Sequence, residues 1–132
     1  MPVEQVDPEG SHPTPGYHHV TIAPAGRLAF LAGQCPLDDS GRLVAADLAA
    51  QVDRVVANAL HALRGVGAAP TDVVRSVIYV VSTDAAVLGA VWERLGRSEL
   101  GPAFASASTL IGVAVLGFAG QLVEVDLTAA LG

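Results

Sequence analysis

Three features of the chain specify an α+β domain in which two helices cover one face of a mostly antiparallel sheet. Two stretches repeat apolar residues at helical steps of three and four, short β-branched runs surround them, and the elements follow in the order ββαβαββ. Two amphipathic helices and one sheet hide their apolar faces most simply as two packed layers.

The first sixteen residues contain Pro2, Pro8, Pro13 and Pro15 with Gly10 and Gly16 and no apolar period, so residues 1–16 are expected to form a disordered tail. A single ordered domain is expected over residues 17–132, beginning at Tyr17. Val20 and Ile22, then Leu28 to Ala32, read as two strands joined by a hairpin turn at Pro24–Arg27. Asp38, Asp39, Ser40 and Gly41 form a second turn signal.

Asp47 is placed to cap a helix through Leu48, Val52, Val55, Ala59, Leu63 and Val66, which Gly65 and Gly67 stop. Gln51, Arg54, Asn58 and His61 fall on its polar, outward side. After Pro70, Val73–Val81 is a β-branched strand, and Thr83 or Asp84 caps a second helix through Val87, Val91, Trp92 and Leu95. Residues 96–105 read as a loop, and residues 106–115 and 121–128 as the last two strands.

Composition narrows the function classes. A chain of 132 residues closes one core without disulfides or metal. Hydrophobic residues make up 52% of it and charged ones 15%, more apolar surface than one domain hides alone, which points to burial between subunits. The lone Cys35 excludes a disulfide framework and suits a reducing cytoplasm. The N-terminus lacks the basic end and apolar stretch of a signal peptide, and the longest apolar run, Leu110–Ala119, is too short to span a membrane. A formal net charge of −6 with seven scattered Lys and Arg residues argues against a nucleic-acid partner.

Glu124 is the most informative single residue, because it interrupts Leu122, Val123 and Val125 in a strand with a buried face. A carboxylate there is paired, hydrogen-bonded or functional; Arg75 on a neighbouring strand is the structural partner to consider. His18 and His19 offer imidazole for proton transfer, and as strand neighbours they face opposite ways, so one at most enters a site, with His19 favoured. They lack a third ligand at any recognisable spacing, so no metal site is expected. Cys35 reads as a small buried hydrophobe before it reads as a nucleophile, and Gln34 as a residue that holds backbone groups at a strand end.

Tyr17 opening the first strand, Phe30–Pro36 (Phe, Leu, Ala, Gly, Gln, Cys, Pro), Asp72–Tyr79 and Leu122–Asp126 appear in an order and spacing that resemble the RidA family, also called YjgF or L-PSP proteins. The resemblance covers nearly all of the chain beyond residue 16. It implies a chorismate-mutase-like fold and a homotrimer with small-molecule clefts between neighbouring subunits. It also implies imine or enamine deamination, in which a glutamate positions water, an arginine grips the substrate carboxylate and an aromatic hydroxyl lines the cleft.

The glutamate matches Glu124 and the hydroxyl matches Tyr17. Counting back from Glu124 without a gap, the arginine falls on Thr109, the serine usual before Gly33 is Ala32, and an asparagine of the second helix is Gly89. A threonine offers no bidentate fork, so the chain resembles a branch that lacks the arginine, with standard 2-aminoacrylate deamination weak or absent.

The expected activity is therefore that of a small-molecule enzyme without cofactor, acting on a neutral or bulkier imine, enamine or related conjugated intermediate. Hydrolysis, tautomerisation, dehydration or cyclisation all fit, in a role suited to specialised metabolism. Glu124 would move a proton or orient water, Tyr17 with His18 or His19 would meet developing charge, and backbone amides around Ile111 would bind an oxyanion. Ala32, Gln34, Cys35, Gly89 and Thr109 would line the cleft. The rival is a trimeric metabolite-binding protein that kept the cleft without chemistry.

Overall fold

Helix α1 spans Leu48–Gly65 and α2 spans Ala85–Gly96 in the computed structural model, which describes residues 3–132. Each begins at an aspartate whose carboxylate satisfies a backbone donor left open at a helix start: Asp47 accepts from Ala49 N–H at 3.3 Å, and Asp84 from Ala86 N–H at 2.9 Å. Helix α1 stops because Gly67 takes a φ of 75°, which lets Ala68 N–H return to the Leu63 carbonyl at 2.9 Å.

The strands are β1 (Glu4–Val6), β2 (Val20–Ile22), β3 (Leu28–Phe30), β4 (Val73–Val81), β5 (Ala107–Val113) and β6 (Val123–Ala130). The main sheet runs β3-β6-β4-β5 and is antiparallel except for the β4–β5 pair, whose parallel sense requires the crossover that α2 provides. Alternate residues of β4 and β6, among them Ile78, Val80, Val123, Val125 and Leu127, meet Val52, Val55 and Leu63 of α1 and Val91 and Leu95 of α2. Each such side chain contributes about 1.5–3 kcal/mol by leaving water. The expected α+β class and the order ββαβαββ both hold, with β1 added in front.

Residues 4–6 overturn the expected tail. They pair with β2, Glu4 opposite Ile22 and Val6 opposite Val20, and the segment after them is pinned to the domain. His19 N–H donates to Asp7 at 2.8 Å, and the Trp92 indole N–H donates to the Pro15 carbonyl at 2.9 Å. These are bonds to and from backbone groups, which a composition rich in Pro and Gly does not reveal; Met1 and Pro2 lie outside the described residues.

The expected hairpin is also corrected. Strand β3 does not pair with β2 but takes the edge of β6, Leu28 opposite Ala130, so β2 finds its partner in β1. Strand β3 ends at Phe30, because the chain bulges between Leu31, still bonded to the Leu127 carbonyl, and Gln34, which pairs with Val125.

Of the α1 residues expected to face outward, His61 is exposed but Gln51 is fully buried. Its side chain donates to the carbonyls of Ala45 and Gly120 and accepts from Leu122 N–H at 2.8 Å, tying α1 to both flanking loops. Arg54 and Asn58 are half-buried for the same reason: the loop after β3 lies over that side of α1.

Among the described residues no helix covers the second face of the sheet. Its side chains form three cross-strand rungs: Glu124, Tyr79 and Ile111; Asp126, Val77 and Thr109; Thr128, Arg75 and Ala107.

Candidate functional site

Strand alternation puts Glu124 on the helix-free face while Val123 and Val125 enter the core. Its Oε1 accepts from the Cys35 thiol at 3.1 Å and from Gln121 Nε2 at 3.1 Å. Oε2 takes no hydrogen bond among the described residues, and no buried side-chain oxygen or nitrogen lacks a partner, so Oε2 is open to solvent. Gly33 lies directly against the carboxylate: a Cβ there would stand 2.7 Å from the Glu124 carboxyl carbon and closer still to Oε2. The ion pair with Arg75 does not form among the described residues. Arg75 sits opposite Thr128, four residues along β6 from Glu124, or about 13 Å of strand.

The segment that brings Gly33 and Cys35 to Glu124 is held from both sides. Gln34 exchanges two backbone bonds with Val125, at 2.7 and 3.1 Å, and its side chain donates to the Ala32 carbonyl at 2.9 Å. From α1, Asn58 donates to the carbonyls of Cys35 and Leu37, and Arg54 Nε to Leu37, each at 2.9 Å. Burial first, then the hydrogen bond and charge of Glu124, push the Cys35 thiol from its ordinary 9.0 up to about 11. At neutral pH Cys35 is thus a protonated donor that fixes one carboxylate oxygen, and a poor nucleophile.

Gln121 and Asn58 are the site-shaping residues that sequence reasoning missed. Gln121 is 3% exposed, just ahead of β6 and three residues before Glu124. Neither carried a local signal, since an amide in a turn or on a helix is ordinary until the fold brings it to Glu124 or Cys35.

Tyr17 and Gly89 lie elsewhere in the chain, in a cavity of about 310 Å³ between α2 and β5 whose wall also includes Pro15, Trp92, Glu93, Ser108 and Leu110. Tyr17 meets Trp92 edge to face with ring centroids 6.1 Å apart. Neither histidine bonds to Glu124. His18 Nδ1 lies 2.5 Å from the Ala105 carbonyl, and His19 Nε2 lies 2.8 Å from the His12 carbonyl with the two rings edge to face at 4.5 Å.

Thr109 and Ile111 are exposed on β5, Ile111 in the rung of Glu124 and Thr109 in the next. Because β5 is an edge strand, it leaves backbone groups on its outer side without a sheet partner. Within one chain the structure therefore joins Glu124, Gly33, Cys35 and Gln34 near Ala32, leaves Ile111 two strands away across Tyr79, and separately joins Tyr17 and Gly89. Among the described residues no cluster of three metal-ligating side chains occurs, and no helix is long and apolar enough to cross a membrane.

Residues 9–131 match the family model described as Endoribonuclease L-PSP. A Yersinia pestis protein of the conserved Rid family, YyfB, superposes with a TM-score of 0.89 at 36% identity, covering 99% of this chain and 100% of that one. A Mycobacterium tuberculosis member of the YjgF/YER057c/UK114 family gives a TM-score of 0.63 at 27% identity, covering 98% and 99%. Yeast YEO7, at 22% identity and a TM-score of 0.69, shares the fold over 97% of this chain and 98% of its own. No curated protein matches the chain.

Proposed function

The chain belongs to the Endoribonuclease L-PSP family, the Rid/YjgF proteins, and from that premise we propose that it hydrolyses a reactive imine or enamine by acid/base chemistry at Glu124. The observation that carries this reading is the asymmetry of the carboxylate. Oε1 is held by two donors and Oε2 is left open, the arrangement of a fixed base that meets water or substrate on one side.

In the proposed reaction Oε2 takes a proton from water as the oxygen adds to the imine carbon. It returns that proton to the nitrogen to give a carbinolamine; Oε2 then takes the hydroxyl proton and passes it to the nitrogen as the carbon–nitrogen bond breaks, giving a carbonyl compound and an amine or ammonia. An enamine enters the same path after protonation at carbon. No cofactor is required by these steps.

The substrate proposed is one without a free carboxylate. The position counted for the family arginine is Thr109, one rung from Glu124 and level with the acidic Asp126, and Arg75 lies at the far end of the sheet. A neutral electrophile suits that face better than an anion. The family description names a ribonuclease, but a net charge of −6 opposes a phosphate backbone.

A homotrimer completes the proposed site. Phe30 is 75% exposed and Ile111 42% exposed on the helix-free face, which one chain leaves open to water. Neighbouring copies packed there would bury them and could bring the Tyr17 cavity of one copy to the Glu124 of the next. The test is turnover of neutral imines, generated in situ from amines and aldehydes, by wild type and Glu124→Gln. The variant should lose about 10²–10⁴-fold in rate, and equal turnover would remove Glu124 from the chemistry. Sedimentation of the wild type as a monomer would remove the shared cleft.

A further inference from the structure

The cavity between α2 and β5 has a feature that folding does not explain. Gly89 sits inside α2, where glycine costs about 1 kcal/mol relative to alanine. A Cβ at Gly89 would meet no atom within 4 Å, so no close packing demands glycine there. What its missing side chain leaves is open space in the wall of a cavity of about 310 Å³.

The chemistry of that wall selects its occupant. Trp92 has committed its N–H to the Pro15 carbonyl, which leaves the indole surface as its contact. The Ser108 hydroxyl is engaged with Ser76 Oγ at 2.5 Å and with the carbonyls of Phe104 and Ser106. Leu110 and Pro15 add apolar surface. The polar groups left over are the Tyr17 hydroxyl and the exposed Glu93 carboxylate, which Arg97 pairs at 3.9 Å, and no basic side chain among the described residues lines the wall to hold an anion. The volume lies at the lower end of small-molecule sites, about 300–1,000 Å³, and fits one ring system.

We propose that this cavity is the side-chain pocket for the substrate, that the group it takes is an uncharged aromatic or similarly flat apolar ring, and that Gly89 keeps the pocket open. The proposal rests on the Glu124 reading for the reaction, and adds that the imine or enamine carries such a ring. Trp92 is the one tryptophan of the chain, so intrinsic fluorescence reports on the pocket directly.

The experiment titrates 4-nitrobenzyl alcohol, a neutral ring that quenches indole, and its anionic counterpart 4-nitrobenzoate into wild type, Glu124→Gln and Gly89→Leu. Saturable quenching by the neutral ring, at least about tenfold tighter than by the anion, is expected in wild type and unchanged in Glu124→Gln. Gly89→Leu, which should fold at least as well because leucine is a better helix former, is expected to lose it. Should that variant fail to fold, Leu110→Phe fills the pocket from β5 and is expected to give the same loss.

Non-saturable quenching in wild type, equal affinity for the two rings, or undiminished binding in a folded pocket-filled variant overturns the proposal. Ring binding without Glu124-dependent turnover would instead overturn the acid/base reading and leave the pocket standing.

Discussion

Gly33→Ala places a methyl group where the Glu124 carboxylate now rests. The new Cβ would lie 2.7 Å from the carboxyl carbon, so the carboxylate must retreat by on the order of 1 Å to reach ordinary contact. The backbone tolerates alanine, since Gly33 does not sit at positive φ. The move breaks the bonds from Cys35 and Gln121, a net loss of about 0.5–1.5 kcal/mol each, against about 0.4–1 kcal/mol gained by stiffening the unfolded chain. The protein should therefore stay folded.

Turnover should not survive so well, because a misplacement of this size costs about 10²-fold in rate. A second readout needs no substrate. Two of the three influences that raise the Cys35 thiol to about 11 come from Glu124, so displacing the carboxylate should lower the thiol's titration point toward 9.0. Reaction with a thiol reagent at pH 9 should accelerate accordingly. A folded Gly33→Ala protein with wild-type turnover and an unchanged thiol titration would refute the contact as the source of Glu124's position.

Three further outcomes follow from the same geometry. Because the folded state raises the Cys35 thiol from 9.0 to about 11, its contribution to stability is complete below pH 9 and lost as pH rises toward 11; denaturant titrations should show that fall in wild type and a shallower one in Cys35→Ala. Gln51→Leu leaves the Leu122 N–H and two loop carbonyls without their partner and should cost about 2–4 kcal/mol in the same titrations. Thr109→Arg supplies the absent cationic fork and should tighten pyruvate binding about tenfold or more by calorimetry, whereas equal affinities would place the family arginine at another position.

Much of the fold was legible because both helices carry their caps and apolar steps in plain view. Asp47, Asp84 and Gly67 act as their residue types suggest, and Val73–Val81 is the strand its β-branching indicates. Strand pairing was less legible. Leu28 and Ala130, or Glu4 and Ile22, meet through backbone bonds between distant segments, and no local pattern encodes which edge a short strand will find. Gln51 shows the related difficulty on a helix: a polar residue in an outward register becomes a buried staple once loops fold over it.

The site was legible in its acid and scattered in its remainder. Glu124 stood out because a carboxylate among valines needs a reason, whereas Gln121 and Asn58 are unremarkable amides until the chain brings them to Glu124 and Cys35. His18 and His19 drew notice for their imidazoles, yet the N-terminal segment that was expected to be disordered supplies the partners of His19. Tyr17 and Gly89, expected in one cleft with Glu124, instead meet each other in a separate cavity of the chain, which is what makes the proposed neighbouring copy matter.

Mixed assemblies of Glu124→Gln and Gly89→Leu chains test the shared site most directly. Each variant alone should be inactive, but random association would unite an intact Glu124 from one copy with an open pocket from the next in about a quarter of the sites. Recovery of about that fraction of wild-type turnover on coexpression is the predicted result. Mixed trimers, verified by mass, that remain as inactive as either parent would contradict a site built across the subunit boundary.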